Sequence, residues 1–357
     1  MQLERRETVS RWAWALAPLA ASAFTLLISS LLVAWAGAPV SQTLALLFDG
    51  AFGSVFALSE TLTRATPLIF TGLAAAVAFR AKLFNIGGEG QLYMGALAAV
   101  AVAGMHGGDV GGIGFDVPPA LLFIGMVLAG AFAGALFLLG PALLKAKFSV
   151  DEVVTTLLLN FVIMLFVSMM LNGVMKDPSA MGWPQSVALN PEVELSKLIE
   201  KTRVHTGLLW ALGIAVVIAL MNQYTALGFE MRAVGANAAA SHFLGLPVNS
   251  VMLKTACISG GLAGLAGVFE VAGRTSYVTL DMSPGYGYTG IVIAMLAGLS
   301  PLGVVVSAIF VAGMIVGADS MSRVVSVPNF IADVIVAVAL LAMLVAAKLT
   351  QYRMRFA

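Results

Sequence analysis

Charge, cysteine and histidine are all scarce in this sequence, and each shortage removes a class of function. Only 10% of the 357 residues are charged, against about a quarter in soluble domains. The single cysteine, Cys257, excludes an intramolecular disulfide and gives no suggestion of a thiolate metal site. It stands inside the apolar run Val251 to Val271 and reads as an inert packing residue. The three histidines, His106, His205 and His242, lie too far apart to offer metal-ligand spacing. No segment matches the G-x-x-x-x-G-K-[ST] nucleotide loop, H-E-x-x-H or G-x-S-x-G, so those routes to nucleotide binding or hydrolysis are closed to this chain. Gly285-Tyr286-Gly287-Tyr288-Thr289-Gly290 satisfies G-x-G-x-x-G, but it lies between apolar runs and not in the strand–turn–helix unit that a dinucleotide site requires. The net charge is +1 and the basic residues are scattered at segment ends, which argues against nucleic acid as a partner.

Hydrophobic residues make up 60% of the chain, and they fall in long runs. That composition defines an all-α integral membrane protein. Runs separated by Pro, Gly or charge predict about ten transmembrane helices, at 12–37, 60–80, 88–105, 118–144, 150–174, 207–224, 250–272, 286–299, 302–318 and 328–348. The separator Ser300-Pro301 between two of these is thin. Arg5, Arg6 and Arg11 ahead of Trp12 to Trp35 imitate a secretory signal, but the run is longer than a signal core and is read as a retained first helix. Lys and Arg place both termini on the cytoplasmic side, with Arg80, Lys82, Lys145, Lys147 and Arg232 also inside. The chain is expected to be one transmembrane domain over 1–357, with a first repeat at about 12–174, an external loop at about 175–206 and a second repeat at about 207–348.

The stretch Phe84 to Gly95 is a polar, glycine-rich break between apolar runs, at a depth where unpaired backbone is costly. A second one, Gly285-Tyr286-Gly287-Tyr288, opens the helix running to Gly298. By the charge-based orientation the two helices run in opposite senses, as in an inverted-topology repeat of five and five helices. Polar groups in hydrocarbon mark function or pairing. Asn85, Glu89, Gln91, Asn160, Tyr286 and Tyr288 are therefore the candidate lining of a solute path. Glu89 reads equally as a cap on its own helix start, favoured by the helix dipole. Asn160 reads foremost as an interhelical hydrogen-bonding group. Glu270 and Asp333 are expected to reach the interface or to pair with Arg274 and Arg323. Gly130-x-x-x-Gly134, Gly260-x-x-x-Gly264 and Gly313-x-x-x-Gly317 predict close helix contacts.

Two loops stand out. Met175 to Thr206 carries Asp177-Pro178, Trp183-Pro184 and Asn190-Pro191 and a charged run from Glu192 to Arg203, predicting a short external helix with ordered turns. It is either a docking surface for an extracytoplasmic partner or a solvated connector. On the cytoplasmic side, Leu227 to Pro247 contains a short alanine-rich helix predicted over Ala236 to Leu244, with Gly235 and Gly245 as punctuation.

Three blocks in order carry a resemblance: Phe84-Asn85-Ile86-Gly87-Gly88-Glu89-Gly90-Gln91, Asp151-Glu152-Val153-Val154-Thr155-Thr156-Leu157-Leu158-Leu159-Asn160, and Gly228-Phe229-Glu230-Met231-Arg232-Ala233-Val234-Gly235-Ala236-Asn237. Together they resemble the permeases of ABC importers for branched-chain amino acids, simple sugars and nucleosides, above all the larger permease of purine-nucleoside-type importers. The Glu-Gly-Gln block favours the nucleoside or sugar branch. The resemblance implies a multi-pass permease of a bacterial inner membrane, paired with a second, shorter permease, a cytoplasmic ABC ATPase and an extracytoplasmic solute-binding protein. No cofactor is then expected on this chain, since ATP and Mg belong to the ATPase. Gly228, Glu230, Arg232, Gly235, Ala236, Asn237, Ala240 and Gly245 fall in what resembles the segment coupling to that ATPase. The rival readings are an ion-gradient-driven transporter with inverted repeats and a branched-chain amino acid ABC permease.

Overall fold

The computed structural model describes residues 2–5, 11–35, 37, 39–104, 117–325, 328–349 and 352–355. His106 lies outside them. Among the described residues the chain is helical apart from a two-stranded ribbon of β1 (Gln2–Arg5) and β2 (Tyr352–Arg355), paired antiparallel with Gln2 opposite Arg355. Among the described residues, six helices are long and apolar enough to cross a membrane. The chain divides into two compact units, one of residues 1–62 and 309–357 and the other of residues 63–308.

In the first unit, α1 (Arg11–Trp35) packs with α13 (Asn329–Leu349), and Val33, Ala318, Met321 and Ile335 form a buried cluster. The ten apolar runs omitted α2 (Val40–Phe52), a helix that Ser41, Gln42, Thr43 and Asp49 make too polar and too short to register as a span. It meets α12 (Pro301–Val325) through the expected small-residue stripe. A Cβ at Gly317 would overlap the Leu47 carbonyl, and one at Gly313 would lie 2.6 Å from the Phe52 ring. Helix α12 itself runs seven residues past its predicted end at 318.

The second unit is built on α10 (Val248–Glu270), continued by a π-helical turn over Val271–Thr275 and packed mainly on α4 (Gly88–Ala103) and α5 (Pro119–Phe148). Glycine makes this packing possible. A Cβ at Gly264 would overlap the Gly130 carbonyl, and one at Gly134 the Gly260 carbonyl, so the two G-x-x-x-G stripes lie against each other at backbone distance. Helix α3 (Val55–Arg80) is largely buried beside α10, with Phe70 stacked on Phe269 at 4.9 Å between ring centroids. Helices α5, α6 (Glu152–Asn172) and α7 (Gly207–Tyr224) expose most of their apolar surface. Cys257 is on an exposed face of α10 and packs into no core, contrary to the reading from hydropathy.

Two boundaries carry information. The separator at Ser300-Pro301 is a true break: α11 (Tyr286–Leu296) ends, Gly298 and Leu299 take left-handed φ of 59° and 62°, and Pro301 starts α12. Over 175–206 the predicted helix is absent, and a single 3-10 turn at Pro191–Val193 takes its place. The segment is instead stitched to helix ends by backbone hydrogen bonds. Asn190 N–H donates to Ala103 O at 2.9 Å, Leu195 N–H to Ala272 O at 2.8 Å, and Ser186 N–H to Val278 O at 3.0 Å. No proline interrupts Glu192 to Arg203; its backbone groups pair outside a helix, with Leu198 N–H donating to Val204 O at 2.8 Å and Thr206 N–H to Ser196 O at 3.0 Å.

Candidate solute path where two helices begin

After Arg80 the chain turns through Lys82, at a φ of 53°, and runs without helical hydrogen bonds to Gly88. Its exposed N–H groups find partners on one face of α6. Phe84 N–H donates to Glu152 Oε1 at 3.1 Å, Ile86 N–H to Thr156 Oγ1 at 3.2 Å, and Gly90 N–H to Asn160 Oδ1 at 2.9 Å. Residues 152, 156 and 160 are spaced by four and so form a stripe along the helix. Asp151 caps the start of α6 by accepting Val153 N–H at 2.8 Å. The Glu152 carboxylate also pairs with Lys145, and Lys145 in turn donates to Lys82 O at 3.0 Å. Asn160 returns two donor bonds, to Ile86 O at 2.9 Å and to Tyr288 Oη at 3.1 Å, so it joins α6, the break and α11.

Within the break, Asn85 and Gln91 satisfy one another. Asn85 Nδ2 donates to Gln91 Oε1 at 2.8 Å and Gln91 Nε2 to Asn85 Oδ1 at 2.9 Å, and Asn85 Oδ1 also accepts Gly87 N–H at 2.9 Å. Ser259 on α10 completes the set, accepting from Asn85 and donating to Ala74 O at 2.8 Å. This buried network pins α3, the break and α10 together, and every polar group in it has a partner.

Glu89 is buried, at 6% exposure, and its carboxylate turns away from its own helix. It accepts Gly287 N–H at 2.6 Å, with further hydrogen bonds to Ser283 and to the Gly285 backbone. Glu89 therefore caps α11 from its place in the first turn of α4. Gly285 enters α11 at a φ of 87° without a side-chain cap of its own, so the carboxylate fills that role from another element. The first turns of α4 and α11 touch, and a Cβ at Gly287 would overlap the Glu89 backbone. Two positive helix ends thus share one carboxylate.

From there the helices diverge. Helix α4 ends where Ala103 accepts Asn190 N–H, whereas α11 runs along α3, from Gly290 against Thr71 to Leu299, whose carbonyl accepts Arg80 Nη2 at 2.7 Å. Tyr288 remains 41% exposed beside Asn160. Tyr286 is buried and takes a different direction, 3.4 Å from Arg274 Nη1. Arg274 pairs with the fully buried Glu270, the pairing expected from sequence. His205 lies over Gly273 of the π-helical turn, and its Nδ1 accepts Gly207 N–H at 3.2 Å. Burial, aided by the charge of Arg274, pushes the imidazole down to about 4. Asp333 is exposed and belongs to the other unit.

The loop after α7 forms α8 (Ala226–Ala236) and α9 (Ala238–Phe243). The single helix predicted over Ala236 to Leu244 is interrupted at Asn237, which leaves the helical conformation to cap α9 by accepting Ala240 N–H at 3.0 Å. Gly228 and Gly235 face inward, and a Cβ at Gly235 would overlap the Arg80 carbonyl. Arg232 reaches back to Asn222 O, and Glu230 is half-buried. Ala236, Asn237, Ala240 and Gly245 are exposed. Beside them Phe243, 91% exposed, and Leu244 form an apolar tip that the alanine pattern had not drawn attention to.

A bundle of apolar helices interrupted by two abutting helix starts is the architecture of a multi-pass membrane protein. The chain matches the family model of the branched-chain amino acid transport system permease component over residues 57–347, and it belongs to that family of ABC transporter permeases. It is 34% identical to the guanosine ABC transporter permease protein of Bacillus subtilis, over 93% of this chain and 94% of that one. It is 32% identical to the glucose ABC transporter permease protein of Haloferax volcanii, over 100% of this chain and 94% of the other. A nucleoside ABC transporter permease protein of Lactococcus lactis is 31% identical over 78% of this chain and 76% of its own length. The chain is thus a multi-pass ABC transporter permease subunit.

Proposed function

We propose that this chain is the transmembrane subunit of an ATP-driven importer that carries a nucleoside into the cell. The observation that carries this reading is the full-length similarity to a guanosine permease, supported by a second nucleoside permease among the relatives. A simple sugar is the second reading, favoured by the glucose permease that aligns along the whole chain. On this account the solute passes the junction of α4 and α11. Glu89, Asn160, Tyr286 and Tyr288 flank the route, and Asn85 and Gln91 hold the break in shape. Opposite-running helices that begin side by side are what an inverted repeat with cytoplasmic termini would produce, and we read the two halves so.

Energy enters from a separate cytoplasmic ATPase, which binds ATP and Mg, and the solute is handed over by an extracytoplasmic binding protein. A second, shorter permease completes the pathway. The exposed tip of α8 and α9, from Ala236 to Gly245, is the surface that seats on the ATPase. Gly235 rests on the last turn of α3, and Arg80 ties that turn to the α11–α12 connection, so a push on the tip reaches the end of α3 and the end of α11. ATP-driven closure would then shift the pathway between outward and inward access.

Removing the chain from its host and following labelled guanosine and labelled glucose separates the two substrates. Loss of nucleoside uptake with sugar uptake intact supports the proposal; loss of sugar uptake alone contradicts it.

A further inference from the structure

Helices α5 and α6 turn large apolar side chains outward, among them Phe132, Leu136, Phe161 and Leu165. Between the C-terminal half of α5 and α6 lies a cleft of about 770 Å³. That size is within the range of small-molecule sites, about 300–1,000 Å³. Its walls are hydrocarbon, with Phe137, Phe148 and Leu158 prominent. Gly140 is an exposed lining residue, where an added Cβ would meet no atom within 4 Å. The cleft is therefore open space against the protein and not a packing seam.

One charge stands at the rim, Lys147 in the last turn of α5. The other lysine of that turn, Lys145, is committed to Glu152. Asp151, the next acidic group along the chain, is used as the cap of α6. Lys147 is exposed and has no hydrogen-bond or ion-pair partner among the described residues. A lysine at the end of an apolar helix in a membrane protein reaches the headgroup layer while its stem stays in hydrocarbon. An apolar cleft with an unpaired cation at its mouth is complementary to a molecule with a hydrocarbon chain and an anionic head.

We propose that this cleft is a binding site for one phospholipid with an anionic headgroup, an acyl chain lying over Gly140 and the headgroup phosphate on Lys147. The test uses the full-length chain in nanodiscs of phosphatidylcholine with increasing phosphatidylglycerol, reading the thermal unfolding midpoint and, by native mass spectrometry, the lipid retained. Phosphatidylglycerol is expected to raise the midpoint and to remain bound. Lys147→Ala should bind it about fivefold more weakly, the contribution of one basic residue at a membrane surface. Gly140→Leu, which grows into empty space, should lose the retained lipid and the rise in midpoint, and Lys201→Ala in the external loop should change neither. Equal protection by phosphatidylcholine, or native-like retention in both variants, would overturn the proposal. So would cross-linking of Gly140→Cys to another polypeptide in native membranes, since the cleft would then be a protein interface. Both substituted positions face away from the packed core, so the variants are expected to fold.

Discussion

Gly287 donates its backbone N–H to the Glu89 carboxylate at 2.6 Å, so the first turn of α11 is capped by a side chain 198 residues away. Replacing Glu89 by Ala leaves N–H groups of α11 buried without an acceptor, at a cost of about 1–3 kcal/mol. Glu89→Gln keeps an oxygen in place. The expected order of nucleoside uptake per folded molecule is native, then Gln, then Ala, measured in membranes after normalising for inserted chain. Equal uptake by all three would remove Glu89 from the transport cycle.

Among the described residues, Asn160 bonds the break, α6 and α11 together. Asn160→Leu should destabilise the chain by about twice the effect of Thr156→Val, because it strands Gly90 N–H and Ile86 O at once where the other strands only Ile86 N–H, each costing about 1–3 kcal/mol when buried. Unfolding midpoints of the two variants in detergent would check the ranking. A milder effect at Asn160 than at Thr156 would mean that other groups or water replace it.

What could be read in the sequence, and what could not, divides along physical lines. The break at Phe84 to Gly95 and its counterpart at Gly285 were legible because glycine and polar residues interrupt apolar runs. The glycine stripes were legible for the same reason. The partner of Glu89 was not, since a carboxylate in the first turn of α4 signals its own helix and nothing local points to residue 287. Glu152, Thr156 and Asn160 are spaced by four, which marks one face of a helix but does not name the backbone groups that the face meets. Helix α2 was missed because hydropathy detects spans, and thirteen residues with a buried Thr43 and an Asp49 do not make one. The external loop defeated propensity because backbone pairing with other segments decides its shape.

Gly235 and Phe243 should separate folding from coupling. Gly235→Trp, an obvious way to disturb this loop, drives a ring into the Arg80 carbonyl and is expected to reduce folded chain. Phe243→Asp alters only an exposed tip and should leave the unfolding midpoint within about 0.5 kcal/mol of native, as surface substitutions do. It is nevertheless expected to lower uptake and co-purification of the ATPase. Normal uptake and normal ATPase recovery with Phe243→Asp would detach the tip from coupling.

His205 makes stability pH-dependent. Its imidazole is neutral in the fold, pushed down to about 4, while an exposed imidazole titrates near 6.5. Between those values the unfolded chain binds the extra proton, so this contribution is fully present above about pH 6.5 and is lost as pH falls toward 4. The unfolding midpoint of the native chain should therefore drop over that window more than the midpoint of His205→Asn. Parallel pH curves would show that His205 is not held neutral.

The central claim is that this permease conducts a nucleoside past the α4–α11 junction only when an ATPase drives it. The most direct measurement is uptake of labelled guanosine into proteoliposomes holding this chain with its paired permease, ATPase and binding protein. The account predicts uptake that requires ATP, is competed by excess unlabelled nucleoside and not by glucose, and falls when Glu89 is changed to Ala. Uptake by this chain alone under a proton or sodium gradient without ATP would contradict it.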